Sequence, residues 1–358
     1  MSYTWSLSPE VIWPARYTQM VNFGLPAADV ESVRTSVTDM WLDGPGGWVT
    51  EWSTLAAKYA DNGDPTLAAL AYGYAKFPVL ADDARRIALQ NQIEQYLLAA
   101  PSFPVDLERR VLDIPYQDST TPIAVHIFSA PGLPLDAPVI LASGGADGHK
   151  IDVHHMFMSF AQGTGARVVA FDIPGTGESE IAMVPESREV IDGLVNFCRS
   201  LGNGRVVHFG LSMGGYFSAY SGLSGLVDAA VNCGGPVEAA FAQTTWAEGA
   251  VGIIGNLFGF DHEPTPEEMA RHVGPHSLRP LLDKDDNCRM LVINGTADAL
   301  VPVEDSLVFS GRRDTLVVMA DGETHCVVSK WDDAIALITG WLAREVERVA
   351  VVPAPSGR

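Results

Sequence analysis

Between residues 27 and 99, apolar side chains return every three or four positions in four stretches: 27–42, 47–62, 65–77 and 81–99. That period lets one face of a helix bury itself, so the pattern predicts four helices and no strand. Asp64 followed by Pro65 reads as an N-cap with proline at the first helical position. Gly-Pro-Gly-Gly at 44–47 and the Phe77–Pro78 step supply stops. After Pro104 the rhythm changes. Stretches 106–116 and 122–130 predict two strands joined by the turn 117–121, a hairpin.

Short apolar runs at 138–142, 167–172, 205–210, 229–233, 290–294 and 315–319 then end in glycine or polar residues. Most lack strict alternation, as strands buried on both faces do. Helical patterns at 153–164, 187–201, 214–223 and 331–349 separate them. Strand–helix alternation of this kind predicts an open, mostly parallel α/β sheet with helices on both faces. Residues 236–287 fit no strand and carry Trp246, Phe258 and Phe260, which reads as an insertion over the strand ends. The expected division is a helical cap over 1–104, a catalytic α/β domain over 105–349 and a frayed tail at 350–358.

Composition narrows the function. The 23 basic and 44 acidic residues leave a net charge of −21, the wrong sign for a phosphate backbone or an anionic lipid surface. No nucleic-acid or membrane partner is expected, and a small molecule is left as the substrate. Cys198, Cys233, Cys288 and Cys326 show no zinc spacing and are expected as free thiols in a reducing compartment. The opening residues carry neither a basic nor an apolar secretory pattern, so the expected location is the cytoplasm. No metal or organic cofactor is implied.

The chemistry concentrates in a few loops. Ser212 sits at the centre of G-x-S-x-G, between an apolar strand and a helical pattern. A sharp strand-to-helix turn needs small residues beside the serine and lifts its hydroxyl above the sheet. A serine needs a base and an orienting acid, here expected in the chain order Ser…Asp…His. Asp298 follows the 290–294 strand and His325 follows the last strand, both at carboxyl ends where open α/β sheets place their sites. Asp305 is the alternative acid. His208 reads as a core histidine and His126 belongs to the hairpin, while His154, His155, His262, His272 and His276 read as surface or cap residues. Two backbone N–H donors complete acyl chemistry: Met213, and either Ala146 or Gly145 in the glycine-rich run after the 138–142 strand. The loop 171–179 is glycine-rich without the dinucleotide or P-loop pattern and reads as structural.

The G-x-S-x-G elbow, the D-x-P-G-x-G-E-S loop at 172–179, Asp298 and His325 together resemble the α/β-hydrolase fold. Gly47-Trp-Val-Thr-Glu-Trp52, the 68–75 segment with Tyr72 and Tyr74, and Ser143-Gly-Gly-Ala-Asp-Gly-His-Lys150 narrow the likeness. They resemble a subgroup with a helical N-terminal domain that includes 2,6-dihydroxypseudooxynicotine hydrolase, fungal polyketide-shortening hydrolases and the fermentation-respiration switch protein. Gly148-His149 departs from the smaller hydroxyl residues expected before Lys150.

The resemblance implies a serine hydrolase, acting on an ester or a ketone-activated carbon–carbon bond in natural-product or aromatic catabolic metabolism, and a homodimer. It leaves open acyl transfer, a lyase of tetronate-type polyketide biosynthesis that eliminates acetate with the same residues, and a non-catalytic regulatory binding protein. Trp246, Phe258 and Phe260, with Trp48 and Trp52, are candidates for an apolar substrate pocket or for core packing.

Overall fold

The computed structural model describes residues 3–351, apart from 244, 248 and 285. Five helices precede the sheet: α1 (Pro9–Asn22), α2 (Ala27–Ser36), α3 (Trp48–Asp61), α4 (Pro65–Ala75) and α5 (Asp83–Ala99). The sheet region then runs β1 (Asp106–Tyr116), β2 (Ser119–Ser129), β3 (Val139–Ser143), α6 (His154–Thr164), β4 (Arg167–Phe171), α7 (Arg188–Leu201), β5 (Val206–Leu211), α8 (Met213–Leu223) and β6 (Ala229–Cys233). The insertion carries α9 (Ala250–Leu257), α10 (Pro266–Val273) and α11 (Arg279–Leu282), and its described residues contribute no strand. Strand β7 (Arg289–Gly295), α12 (Glu304–Leu307), β8 (Thr315–Ala320) and α13 (Trp331–Val351) finish the fold. The expected tail beyond Val351, residues 352–358, lies outside the described residues.

The eight strands lie in the order β1-β2-β4-β3-β5-β6-β7-β8. β2 pairs antiparallel with β1 and β4, and every other pairing is parallel. β3, β4, β5 and β6 are buried along their whole length, which explains their unbroken apolar runs. The chain steps from β3 to β4 on one side and returns to β5 on the other. Such a reversal opens a crevice at the carboxyl ends of β3 and β5, where open sheets place their sites.

Three differences from the sequence pattern have physical causes. The helical pattern begins at residue 27, yet α1 forms earlier: the Ser8 side chain accepts from the Glu10 N–H, and Pro9 sits at a first-turn position that costs no hydrogen bond. Pro14 inside the helix breaks the periodic signal. α2 stops at Ser36, not at 42, because Asp39 Oδ1 accepts from the N–H groups of Trp41 and Leu42 in a turn that competes with helix. The hairpin turn is Gln117–Asp118 alone. Tyr116 pairs with Ser119, so the Ser-Thr-Thr run expected in the turn starts β2.

The helices before the sheet have a core of their own. Trp13, Trp48, Trp52 and Phe77 pack together, and Trp48 Nε1 donates to the Tyr74 carbonyl at 2.6 Å. Trp48 and Trp52 are fully buried, which makes them core residues and not a pocket wall. Two further apolar clusters cover the faces of the sheet. All four cysteines are unpaired. Among the described residues no helix is long and apolar enough to cross a membrane.

Candidate active site

β5 ends at Leu211, and the chain reverses through Ser212 at φ 53 and ψ −125 before α8 begins at Met213. A non-glycine residue in that region is strained, and the neighbours hold it there. The Ser212 N–H donates to the Cys233 carbonyl at 2.7 Å. A Cβ at Gly210 would run into the Gly214 carbonyl, and one at Gly214 into Ser143 and Gly144. The small residues of the motif are thus demanded by close approach of backbone to backbone.

His325 Nε2 lies 2.8 Å from Ser212 Oγ, and His325 Nδ1 lies 2.7 Å from Asp298 Oδ2. An ionised carboxylate only accepts, so Nδ1 carries the proton and Nε2 is left to accept from the serine hydroxyl. Parallel pairing of β7 with β8 brings the two loops together, with Gly295 opposite Ala320. A side chain at Gly295 would strike the Glu323 and Thr324 backbone, which sets how closely the histidine loop approaches. The Asp298 side chain is fully buried, and its Oδ1 accepts from the N–H groups of Leu300 at 2.8 Å and Val301 at 3.1 Å.

Burial alone would raise the Asp298 carboxyl, but the hydrogen bonds from His325, Asn294 and Leu300 outweigh it and hold the group below its ordinary value. For His325, burial works against the charged ring, while the adjacent Cys326 sulfur and the Asp298 hydrogen bond favour it more. The imidazole is therefore raised.

The loop after β3 lies against Ser212: a Cβ on Gly145 would sit 2.9 Å from Ser212 Cβ and 3.2 Å from its Oγ. The Gly145 N–H donates to the Gly148 carbonyl at 2.8 Å, so Gly145 is removed as an oxyanion donor. The N–H groups of Ala146 and Met213 have no backbone acceptor among the described residues. Met213 N–H is one of the open donors at the start of α8, where the helix dipole also favours negative charge.

Asp305, the alternative acid, is elsewhere. Its carboxylate accepts from the N–H groups of Glu238, Ala239 and Ala240 at 2.7, 2.7 and 2.8 Å and anchors the start of the insertion. His208 is a buried core residue, with Nδ1 2.8 Å from Ser221 Oγ. His154 is buried as well, against the expectation of a surface or cap position, and lies edge-on to Tyr96; His276, within the insertion, is buried among Tyr216, Phe241 and Phe258.

The aromatic residues of the insertion divide. Phe258 is buried, with its ring 4.8 Å from that of His276, and is core rather than open pocket wall. Phe260 is half-buried with its ring 4.9 Å from that of His272, and half-buried Trp246 packs on the same apolar cluster.

Two groups had no functional reading in the sequence. Asn294 is fully buried at the end of β7; its Nδ2 donates to Asp298 Oδ2 at 2.8 Å and its Oδ1 accepts from the Cys326 N–H at 3.0 Å. The available signal was a polar residue closing an apolar strand. Lys150 is also buried, and its Nζ donates to Asp172 at 2.6 Å and Glu178 at 2.7 Å. This ion cluster ties the loop after β3 to the glycine-rich 172–179 loop.

Residues 137–252 match a family model described as alpha/beta hydrolase fold. Esterase FrsA of Photobacterium profundum is 23% identical over 278 residues, covering 69% of this chain and 65% of that protein. Alpha/beta hydrolase pydG of Acremonium sp is 25% identical over 236 residues, covering 57% of this chain and 54% of that one. The aligned part of the chain thus spans between about half and two thirds of these relatives' lengths. Among solved structures, 2,6-dihydroxy-pseudo-oxynicotine hydrolase superposes with a TM-score of 0.77 at 21% identity, covering 94% of this chain and 98% of its own. Wild-type AbyA5 gives 0.77 and 21%, covering 94% and 99%.

Proposed function

Given that this chain is an α/β-hydrolase by fold, we propose that it is a serine-dependent hydrolase acting through an acyl-enzyme on an ester or a ketone-activated carbon–carbon bond of a small, largely apolar metabolite. The observation that carries this reading is the relay of 2.8 Å from Ser212 to His325 and 2.7 Å from His325 to Asp298. Ser212 Oγ attacks the carbonyl carbon as His325 Nε2 takes its proton. Asp298 holds the imidazole in the competent tautomer and stabilises the imidazolium. The Met213 and Ala146 N–H groups receive the developing oxyanion. His325 then returns the proton to the departing alkoxide or carbanion, and water, deprotonated by the same histidine, clears the acyl group.

The apolar character of the substrate is inferred from the surroundings. Ala146 and Met213 belong to the same apolar cluster as Val237, Phe241 and Leu257 of the insertion. In this reading residues 1–104 and the insertion act together as the cap.

Intact-protein mass spectrometry after a fluorophosphonate tests the proposal. One adduct on the wild type, absent from Ser212→Ala, is the expected result. An unlabelled wild type, with a smaller sulfonyl fluoride also unreactive, overturns it. Product analysis then separates hydrolysis, which leaves an alcohol or ketone with an acid, from elimination, which leaves an alkene with an acid.

A further inference from the structure

The loop that carries Ala146 is held from two sides. On the sheet side stands the Lys150 cluster with Asp172 and Glu178. On the other side, three side chains from the helices before the sheet reach across to two aspartates of the same stretch. Arg16 of α1 pairs with Asp147, the residue after Ala146. Lys76, just past α4, lies 2.6 Å from Asp152 Oδ2, and Gln92 of α5 donates to Asp152 Oδ1 at 2.6 Å. Asp152 Oδ2 in turn accepts the His149 N–H at 2.7 Å and so shapes the loop's far end.

These contacts are built in. Lys76 and Gln92 are buried, and a Cβ at Gly73 would lie 2.6 Å from both Asp152 Oδ1 and Gln92 Nε2. Arg16 is itself oriented: its guanidinium donates to Gln19 at 2.8 Å and lies 5.4 Å from the Phe77 ring centre. Beside Asp147 the packing is incomplete: a gap of about 20 Å³, room for about one water, is lined in part by Arg16, Gln19, Tyr74, Asp147, Gly148 and Asp152. The ion pairs therefore set the loop's position where packing leaves slack. Ala146 lies one peptide from Asp147, so a shift of that carboxylate moves the N–H aimed at the oxyanion.

We infer that Arg16 is a positioning residue, which through Asp147 holds the Ala146 N–H in place, so that the helical N-terminal segment sets the acylation rate of Ser212. The inference rests on the serine-hydrolase reading above. Arg16 touches no reacting atom; it acts through the loop. An oxyanion donor matters in the transition state more than in the encounter complex, so its displacement shows in the rate and not in the binding constant.

The test is the concentration dependence of fluorophosphonate labelling for wild type, Arg16→Met, Arg16→Lys, Asp147→Asn, and the exchanged pair Arg16→Asp with Asp147→Arg. Loss of a whole oxyanion donor costs about a hundredfold or more, so a displaced one is expected to slow the maximal labelling rate of Arg16→Met and Asp147→Asn by about tenfold. Their half-saturation concentration is expected to stay at the wild-type value, with partial recovery in Arg16→Lys and in the exchanged pair. A wild-type maximal rate in Arg16→Met or Asp147→Asn, with or without a lower melting temperature, overturns the inference and leaves the serine reading standing. Should Arg16→Met fail to fold, the isosteric Asp147→Asn decides alone. A wild type that does not label overturns the serine reading and this inference with it.

Discussion

Asn294 donates through Nδ2 to the Asp298 carboxylate at 2.8 Å, and its own carbonyl accepts the N–H of the residue after His325. One buried side chain thereby fixes both the Asp298 carboxylate and the backbone beside His325. Cys326 and Val327, immediately after His325, hold φ of 56 and 57, a strained path that the Asn294 bond helps to maintain. Replacing Asn294 with Ala removes a hydrogen bond to a charged group, of about 1.5–3 kcal/mol, and leaves the Cys326 N–H unsatisfied. The expected outcome is a fall in kcat/KM of about tenfold to a hundredfold, with a lower melting temperature, read from steady-state kinetics and a thermal melt.

In the proposed mechanism His325 acts as a base only when its ring is neutral, and its environment raises the ring above the ordinary 6.5. Activity therefore rises with pH through a value above 6.5 and is lost below it. Asp298→Asn removes an interaction that favours the imidazolium, so the acid limb of the kcat/KM profile is expected to move down while kcat falls by about 10⁴-fold. An acid limb that stays in place in Asp298→Asn would show that another group titrates.

Lys150 stands between Asp172 and Glu178 with almost no exposure. Burial opposes its charge, but the two carboxylates outweigh burial and raise the ammonium, while the Asp172 carboxyl is held well below its usual range by the lysine despite its own burial. The depressed Asp172 stabilises the fold above its unfolded value and loses that contribution as pH falls toward the folded one. The raised Lys150 stabilises below its unfolded value and loses that contribution as pH rises through the folded one. Lys150→Met leaves the buried Asp172 without its ion pair while Glu178 keeps Arg109, which is expected to cost about 3–5 kcal/mol in urea unfolding at neutral pH, with a smaller deficit in acid.

Gly145→Ala places a methyl group 2.9 Å from Ser212 Cβ. Gly145 has no positive φ, so the substitution adds no backbone strain at that residue. Catalysis is the sensitive readout: a displacement near 1 Å at the reacting atoms costs about a hundredfold, so kcat is expected to fall by that order while the circular dichroism spectrum is retained.

The sheet was largely legible in the sequence. The run at 229–233 matches β6, because a strand buried on both faces must be apolar whatever packs on it, and the run at 315–319 matches β8 to within a residue although that edge strand is only half-buried. The elbow was legible from its motif: Gly210 is required by its near neighbour Gly214, whereas Gly214 is required by Ser143 and Gly144 across the sheet. Helix α1 was not, since Pro9 and Pro14 interrupt its period and its apolar residues are buried by Trp48 and Trp52 from a distant segment.

What the sequence determined by itself is the strand–helix rhythm, set by hydrophobic period, and the sharp turn at Ser212, signalled by the small residues beside it. Only the tertiary structure decided which acid faces the histidine, whether Gly145 or Ala146 keeps a free N–H, which insertion aromatics are buried, and that Arg16 pairs with Asp147. Those outcomes depend on what lies across a contact from each group. Burial and hydrogen-bond satisfaction belong to pairs of segments far apart in the chain, and no local pattern encodes the partner.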